Sequence, residues 1–507
     1  MNSNDLGAVQ HNSLNVGDVV TNAVMVGILA TVILIYFLNN PLRHSGKFKI
    51  RCFVNWFPLG LTYAFLYMAR YNLTVAKGSL GDLISNQSFG DIFGIGSVVY
   101  GCAFLINGPL TEKIGGKKAI MISSAGSMIM NVLMGCVLYG VMNGLMKPDL
   151  LVVSFMVLYA LNMYFQSFGA VAVVKVNSHW FNIKERGVLG GIFGTLISLG
   201  LFYAFNWGDM IVEASKAVPS DSLGVIEKWL RGLLRISGPV DHIWYVFFVP
   251  AVILLFFFIL IMLLVKDSPE EAGFPNFELG DASEADDGGE ELSGVRLMKR
   301  LITNPVILTI AFIEFCSGVL RQSVMHWYKL FVGAFSAIPA YREAFEIANF
   351  FCDNWGLLLC FAGIMGGMFA GFISDKLFGS RRGPSAVFLY AVMLVCTVVL
   401  AFVLKGNQLV VGVTMLLMSL CVIGVHGMLS GTATMDFGGK RAAATATGLV
   451  DGFVYLGTGF QAFALGRLTT IDWGLWPVFM IPFAIIGLVL SLRIWRAFPG
   501  GASPKKS

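Results

Sequence analysis

The chain has 507 residues, 56% of them apolar and only 13% charged, with 42 Phe and a mean hydropathy of +0.75. That much apolar surface exceeds what about three soluble domains could hide. The formal net charge of +5 comes with no soluble basic region that would bind nucleic acid. Apolar runs are continuous over about 20 residues and do not alternate over about 10, which excludes a β-barrel and defines an all-α polytopic membrane protein. The 8 Cys are scattered with no CxxC pair, so neither a disulfide framework nor a metal site is expected. No nucleophile elbow, P-loop or paired-carboxylate motif points to an enzyme or to a bound cofactor.

The segment before the first apolar run has no basic stretch, and no A-x-A site follows the run at 19–40. It therefore reads as a retained helix. Residues 1–51 are expected to be an extra N-terminal transmembrane helix with a basic loop. Runs at 52–76, 91–110, 119–142, 150–177, 187–210 and 243–265 predict a first six-helix bundle over 52–265. An insertion at 211–242 interrupts it. Within the insertion, 221–236 puts Ile226, Trp229, Leu230, Leu233 and Leu234 on one helical face, with Ser220 or Asp221 as cap. That pattern predicts an amphipathic helix on the outer membrane surface, or alternatively a lid. Residues 266–303 are polar, and the acidic, Gly-rich part at 276–292 reads as a flexible linker. Runs at 305–332, 350–373, 385–404, 409–434, 442–466 and 473–495 predict a second bundle over 304–496, with a tail at 497–507.

Of the 35 Lys and Arg, 22 lie in one set of alternate connecting segments and 9 in the opposite set. The richer set is expected to be cytoplasmic. The N-terminus is then outside, and the linker and C-terminus are inside, in the cytoplasm. The two halves also repeat. GPLTEKIGGKK at 108–118 matches GFISDKLFGSRR at 371–382, and FNIKERG at 181–187 matches DFGGKRA at 436–442. Arg70 matches Arg321, 251 residues apart. Repeated features at an offset near half the chain predict two bundles related by a pseudo-two-fold axis. Acid–base residues in the repeated turns, namely Gly108, Glu112, Lys113, Lys184, Glu185, Arg186, Asp375, Lys376 and Arg441, could latch helices in one conformation or serve only to set topology.

At these turns the sequence resembles the major facilitator superfamily, whose loop signature is a Gly, an acid–base pair and a basic cluster. YAFLYMARYN (63–72), SHWFNIKERG (178–187), VKDSPEEAGFP (265–275), VLRQSVMHW (319–327) and GGKRAAATATG (438–448) are similar to the organophosphate:phosphate antiporter family, which includes bacterial glycerol-3-phosphate and hexose-phosphate transporters. The likeness covers about residues 52–496 and omits the first helix and the 211–242 insertion. Glu112 departs from the usual Asp.

A cation within a bilayer costs about 2.5–3.5 kcal/mol or more and persists only with a partner or a function. Arg70 and Arg321 stand inside apolar runs at equivalent places, one per half. Two facing guanidiniums repel unless an anion lies between them, and the planar fork of Arg matches phosphate oxygens two at a time. The bland alternative pairs Arg321 with Glu314, seven residues earlier. The resemblance implies that the two Arg bind the substrate phosphate. Tyr63 and Tyr67 share a helix face with Arg70, and the resemblance adds Tyr100 and His179 as substrate-site positions, although aromatic residues there could simply pack. Lys175 lies where relatives are basic, or snorkels to water. Three departures mark the pocket: Phe104 replaces a Lys, Gly318 a Tyr, and His326 an acidic residue. His326 could restore part of the lost positive charge, and Glu314, Lys175 and Asp451 are candidate coupling groups. The expected function is exchange of a phosphorylated small metabolite for inorganic phosphate across the bacterial inner membrane, by a monomer unless the extra helix makes an oligomer contact. Transport of another organic anion, with or without protons, and sensing of a phosphate ester are the alternatives.

Overall fold

The structure is a computed structural model that describes residues 3–238, 240–275, 299, 301–379, 381–433 and 443–496. The acidic linker at 276–292, Arg441 and the tail at 497–507 lie outside the described residues, as do the side chains of Lys184, Arg186 and Asp221. The long helices are α1 (Ser3–Leu38), α2 (Gly46–Leu80), α3 (Asn86–Ile114), α4 (Gly116–Met142), α5 (Asp149–Trp180) and α6 (Ile183–Phe202). A short helix α7 (Val225–Leu233) precedes α8 (Tyr245–Leu264). The second half holds α9 (Pro305–Ser336), a short α10 (Glu346–Asp353), α11 (Trp355–Phe372), α12 (Arg382–Val403), α13 (Gln408–His426), α14 (Ala443–Ile471) and α15 (Leu475–Arg493). Twelve of the described helices are long and apolar enough to cross a membrane, Val19–Leu38 among them. Ala443–Ile471 falls on the expected run at 442–466 but is not one of those twelve.

The helix starts follow local chemistry. Ser45 and Ser85 accept the N–H groups of Phe48 and Ser88, and Asn304 caps Val306 and Ile307 with Pro305 in the first turn. α6 continues through a wide π-helical turn at Tyr203–Trp207 into Gly208–Ser215. α7 begins at Val225 with Gly224 at its cap, four residues later than the pattern 221–236 suggests. The Arg231 side chain ties it down by donating to the carbonyls of Val218 and Lys216. α1 is fastened at two places. The Lys49 ammonium donates to the carbonyls of Tyr36, Phe37 and Asn39, the unsatisfied acceptors at the end of α1. Trp207 Nε1 donates to Asn22.

The two halves meet through small residues. α3 packs along α14, where a Cβ on Gly90 would fall 2.3 Å from the Ala462 carbonyl oxygen. α6 likewise packs on α11. Hydrogen bonds and ion pairs between the halves gather at the level of Arg70 and toward one end. Asp91 pairs with Arg467 at 2.8 Å, Lys329 pairs with Asp209, and Thr74 meets His326 at 2.8 Å. Asn86 donates to Thr469, and Asn206 donates to the Asp353 carbonyl and accepts the Leu357 N–H. At the opposite end, which carries the basic turns, a Cβ on Gly108, Gly190, Gly194 or Gly367 would meet nothing within 4 Å. Polar contacts thus seal the halves together toward one end.

Candidate anion-binding site

Arg70, on α2, is 1% exposed and meets the second half through Tyr455. Its Nε donates to Gln166 Oε1 (2.8 Å), Nη1 to the Tyr455 hydroxyl (2.9 Å) and Nη2 to the Tyr100 hydroxyl (3.2 Å). The guanidinium also lies 4.7 Å from the ring centre of Tyr100 and 4.9 Å from that of Tyr67. All these partners are neutral. Cation–π contacts supply about 0.5–2 kcal/mol each, enough to offset part of the burial cost but not to cancel the charge. A second layer fixes the first. Gln166 donates to Asn162, Asn162 and Asn131 both donate to the Ala69 carbonyl, and the Tyr159 hydroxyl donates to the Arg70 carbonyl.

Arg321, on α9, is half-buried, and its buried Nε has no hydrogen-bond partner. Among the described residues neither arginine forms an ion pair with a carboxylate. Glu314, the candidate partner, is bound instead to His426, whose Nδ1 lies 2.9 Å from Glu314 Oε2. Tyr67, Tyr71 and Tyr455 lie within electrostatic reach of both guanidiniums, so the two charges flank a common aromatic wall.

The other expected residues fall into three places. Tyr63 packs edge-to-face on Tyr67 at 5.7 Å, one turn from the Arg70 contact, and Tyr67 and Tyr100 touch the guanidinium directly. His326 lies in the seal, held by Thr74 and packed on Tyr71 and Phe93. His179 and Lys175 lie toward the end with the basic turns. The His179 Nδ1 contacts the Lys175 carbonyl at 2.9 Å, and Lys175 pairs with Glu112 across α3 and α5. Glu185 is near His44 (3.3 Å) and Asp375 near Arg382 (3.3 Å), while Lys113 and Lys376 are exposed. Each of these turn contacts joins neighbours within one half. Asp451 accepts the Ser430 hydroxyl.

Tyr455, Gln166 and His426 were not singled out from the sequence, although each is polar and within or beside an apolar run. Gly318, where the resemblance implies a Tyr, is required by the fold: a Cβ there would fall 2.0 Å from the Val454 carbonyl oxygen. The close α9–α14 crossing excludes a phenol on α9, and Tyr455 of α14 presents one to Arg70 instead. Phe104, where the resemblance implies a Lys, lies 6.0 Å from the Tyr455 ring.

Residues 59–462 match the family model of the Major Facilitator Superfamily, and the chain belongs to that superfamily of membrane transporters, not to an enzyme family. Its distant full-length relatives are glycerol-3-phosphate and hexose-phosphate transporters. It is 26% identical over 474 residues to a "Probable hexose phosphate transport protein" of Chlamydia pneumoniae, covering 89% of this chain and 91% of that one. It is 24% identical over 470 residues to the "Glycerol-3-phosphate transporter" of Bacillus subtilis (strain 168), covering 89% and 93%. It is also 23% identical over 439 residues to the "Membrane sensor protein UhpC" of Escherichia coli (strain K12), covering 85% and 89%. Among solved structures, a bacterial homologue of the human lysosomal transporter Spinster, in an inward-facing and unoccupied conformation, superposes with a TM-score of 0.64 at 13% identity, over 91% of this chain and 100% of that one.

Proposed function

We propose that this transporter carries a phosphorylated small metabolite in exchange for inorganic phosphate, with Arg70 and Arg321 gripping the phosphoryl group between the two halves. The observation that carries this reading is the pair of arginines without carboxylate partners among the described residues, one from each half, sharing a wall of tyrosines. A dianion placed there neutralises both charges and offers Arg321 the acceptors its Nε lacks. Binding then draws the halves together, and its free energy is spent on the change from one open state to the other. Without a guest, closure would compress two like charges away from water, so exchange is fast and net movement of the empty carrier slow. The polar ties between the halves lie toward the other end, so we read the end with the basic turns as the open one, and its excess of Lys and Arg supports a cytoplasmic placement with the N-terminus outside.

The test is counterflow of labelled phosphate in proteoliposomes. Wild-type protein is expected to accumulate label against unlabelled phosphate, and glycerol-3-phosphate or a hexose phosphate should compete. Undiminished counterflow in Arg70→Lys and Arg321→Lys would remove the clamp. A sensing role is the second reading, favoured by the relative named as a membrane sensor. Saturable phosphate-ester binding with no counterflow would select it.

A further inference from the structure

The phosphate reading makes no use of a polar cluster in the second half. Glu314, on α9, is fully buried; its Oε2 faces Nδ1 of His426 at the end of α13, and its Oε1 is buried with no hydrogen-bond partner. His426 is the more open member, its side chain 25% exposed. Asp451, on α14, is held by the Ser430 hydroxyl and lies within electrostatic reach of Glu314, His426 and Arg321. Among the described residues, the other ionisable groups within electrostatic reach of Glu314 are Arg321 and Cys316 of its own helix and Tyr390 of α12, whose hydroxyl donates to the Ile313 carbonyl. α15 carries no ionisable side chain before Arg493, and α2 meets α9 through Tyr71, which Gln322 contacts. The cluster therefore holds two carboxylates and an imidazole, with Arg321 about 10 Å along the helix from Glu314. Both carboxylates ionised beside a neutral imidazole would leave an excess of negative charge around the fully buried Glu314, where an uncompensated charge is strongly unfavourable.

We propose that Glu314, His426 and Asp451 form a proton-binding site linked through Arg321 to the phosphate clamp, so that the anion and a proton bind together. This rests on the phosphate reading above. The proton is held between Glu314 and His426, and the only bonds that form or break are O–H and N–H bonds to it. Taking up a proton adds one positive charge near Arg321, which Arg321 opposes. An anion seated between the guanidiniums cancels that opposition. Anion binding thus raises proton affinity, and by linkage the proton raises anion affinity by the same factor. His426, partly exposed, is the route by which the proton returns to water when the anion leaves.

The test uses full-length protein in proteoliposomes with labelled inorganic phosphate as probe, read two ways. Counterflow at uniform pH measures carriage of phosphate. The half-saturation concentration of external phosphate in counterflow, with and without an inward proton gradient, measures coupling. The gradient is expected to lower that concentration for wild-type protein about fivefold or more, within the usual range for linked sites. Glu314→Gln and His426→Gln are each expected to keep counterflow and lose the gradient response, and the retained counterflow shows that the variant folds. Phosphate's own ionisation is common to all variants, so only the difference between them counts. A wild-type protein with counterflow but no gradient response, or a Glu314→Gln protein that responds like wild type, overturns the proton site and leaves the clamp intact. Loss of counterflow in both variants, or a wild-type protein without counterflow, overturns it as well; the second result also removes the phosphate reading.

Discussion

The two arginines are equivalent in the repeat and unequal in their surroundings. Arg70 is enclosed, with its Nε, Nη1 and Nη2 each donating to a neutral side chain and an asparagine layer behind it. Arg321 is half-buried, with an idle Nε. The difference assigns them different work. Arg70 is a preorganised anchor whose orientation is set before a ligand arrives. Arg321 gains most from a ligand, because the anion supplies hydrogen bonds it otherwise lacks. An alternating-access carrier needs this inequality, since one half must hold the guest while the other closes on it.

Substitutions that attack the charges should have the largest effect. Arg70→Gln and Arg321→Gln are each expected to lower phosphate counterflow by about 100-fold, the loss of one or two charge-assisted hydrogen bonds. The conservative changes then separate the two roles. Arg321→Lys should weaken phosphate binding about 10-fold in a scintillation proximity assay and leave the thermal midpoint of the empty protein unchanged. Arg70→Lys should weaken binding more and also lower that midpoint, because Gln166, Tyr100 and Tyr455 lose a partner in a buried site. Equal effects of the two Lys variants on the midpoint would contradict the anchor role.

Removing a single hydroxyl probes the anchor more finely. Tyr455→Phe keeps the ring and deletes one bond to Arg70, so the half-saturation concentration of phosphate should rise about 3–10-fold, for about 1 kcal/mol. Breaking the seal should matter least. The Asp91–Arg467 pair is partly exposed, and such pairs contribute about 0–1 kcal/mol. Asp91→Asn should therefore shift the balance of states by less than about fivefold. Spin labels replacing the exposed Lys113 and Lys376 at the open end would report that shift as a larger population at short distance.

Span positions, the repeat and the two arginines were legible in the sequence, because a 20-residue apolar run and a lone cation within it each carry a cost that only a few structures can meet. The neutral groups around the arginines were not. Tyr455 and Gln166 cost little in a membrane helix and show no fixed spacing from Arg70, being 385 and 96 residues away along the chain. Glu314 shows a related blind spot. Its seven-residue offset from Arg321 suggests a pair, but the imidazole of His426 from another helix takes that place. The reason for Gly318 was equally hidden, because it depends on how closely the α14 backbone approaches. Which end of the molecule is closed depends on contacts between halves, such as Thr74 with His326, that no local pattern encodes.

The central claim is that one anion is shared by two arginines from opposite halves. Direct binding of labelled inorganic phosphate to the purified protein, measured for wild type, each single Lys variant and the double variant, tests it most closely. Saturable binding in wild type is expected, weakened by each substitution, with the double variant losing less than the sum of the single free-energy losses because both groups hold the same ligand. Additive losses would mean two separate anion sites, and wild-type affinity in the double variant would mean that phosphate binds elsewhere.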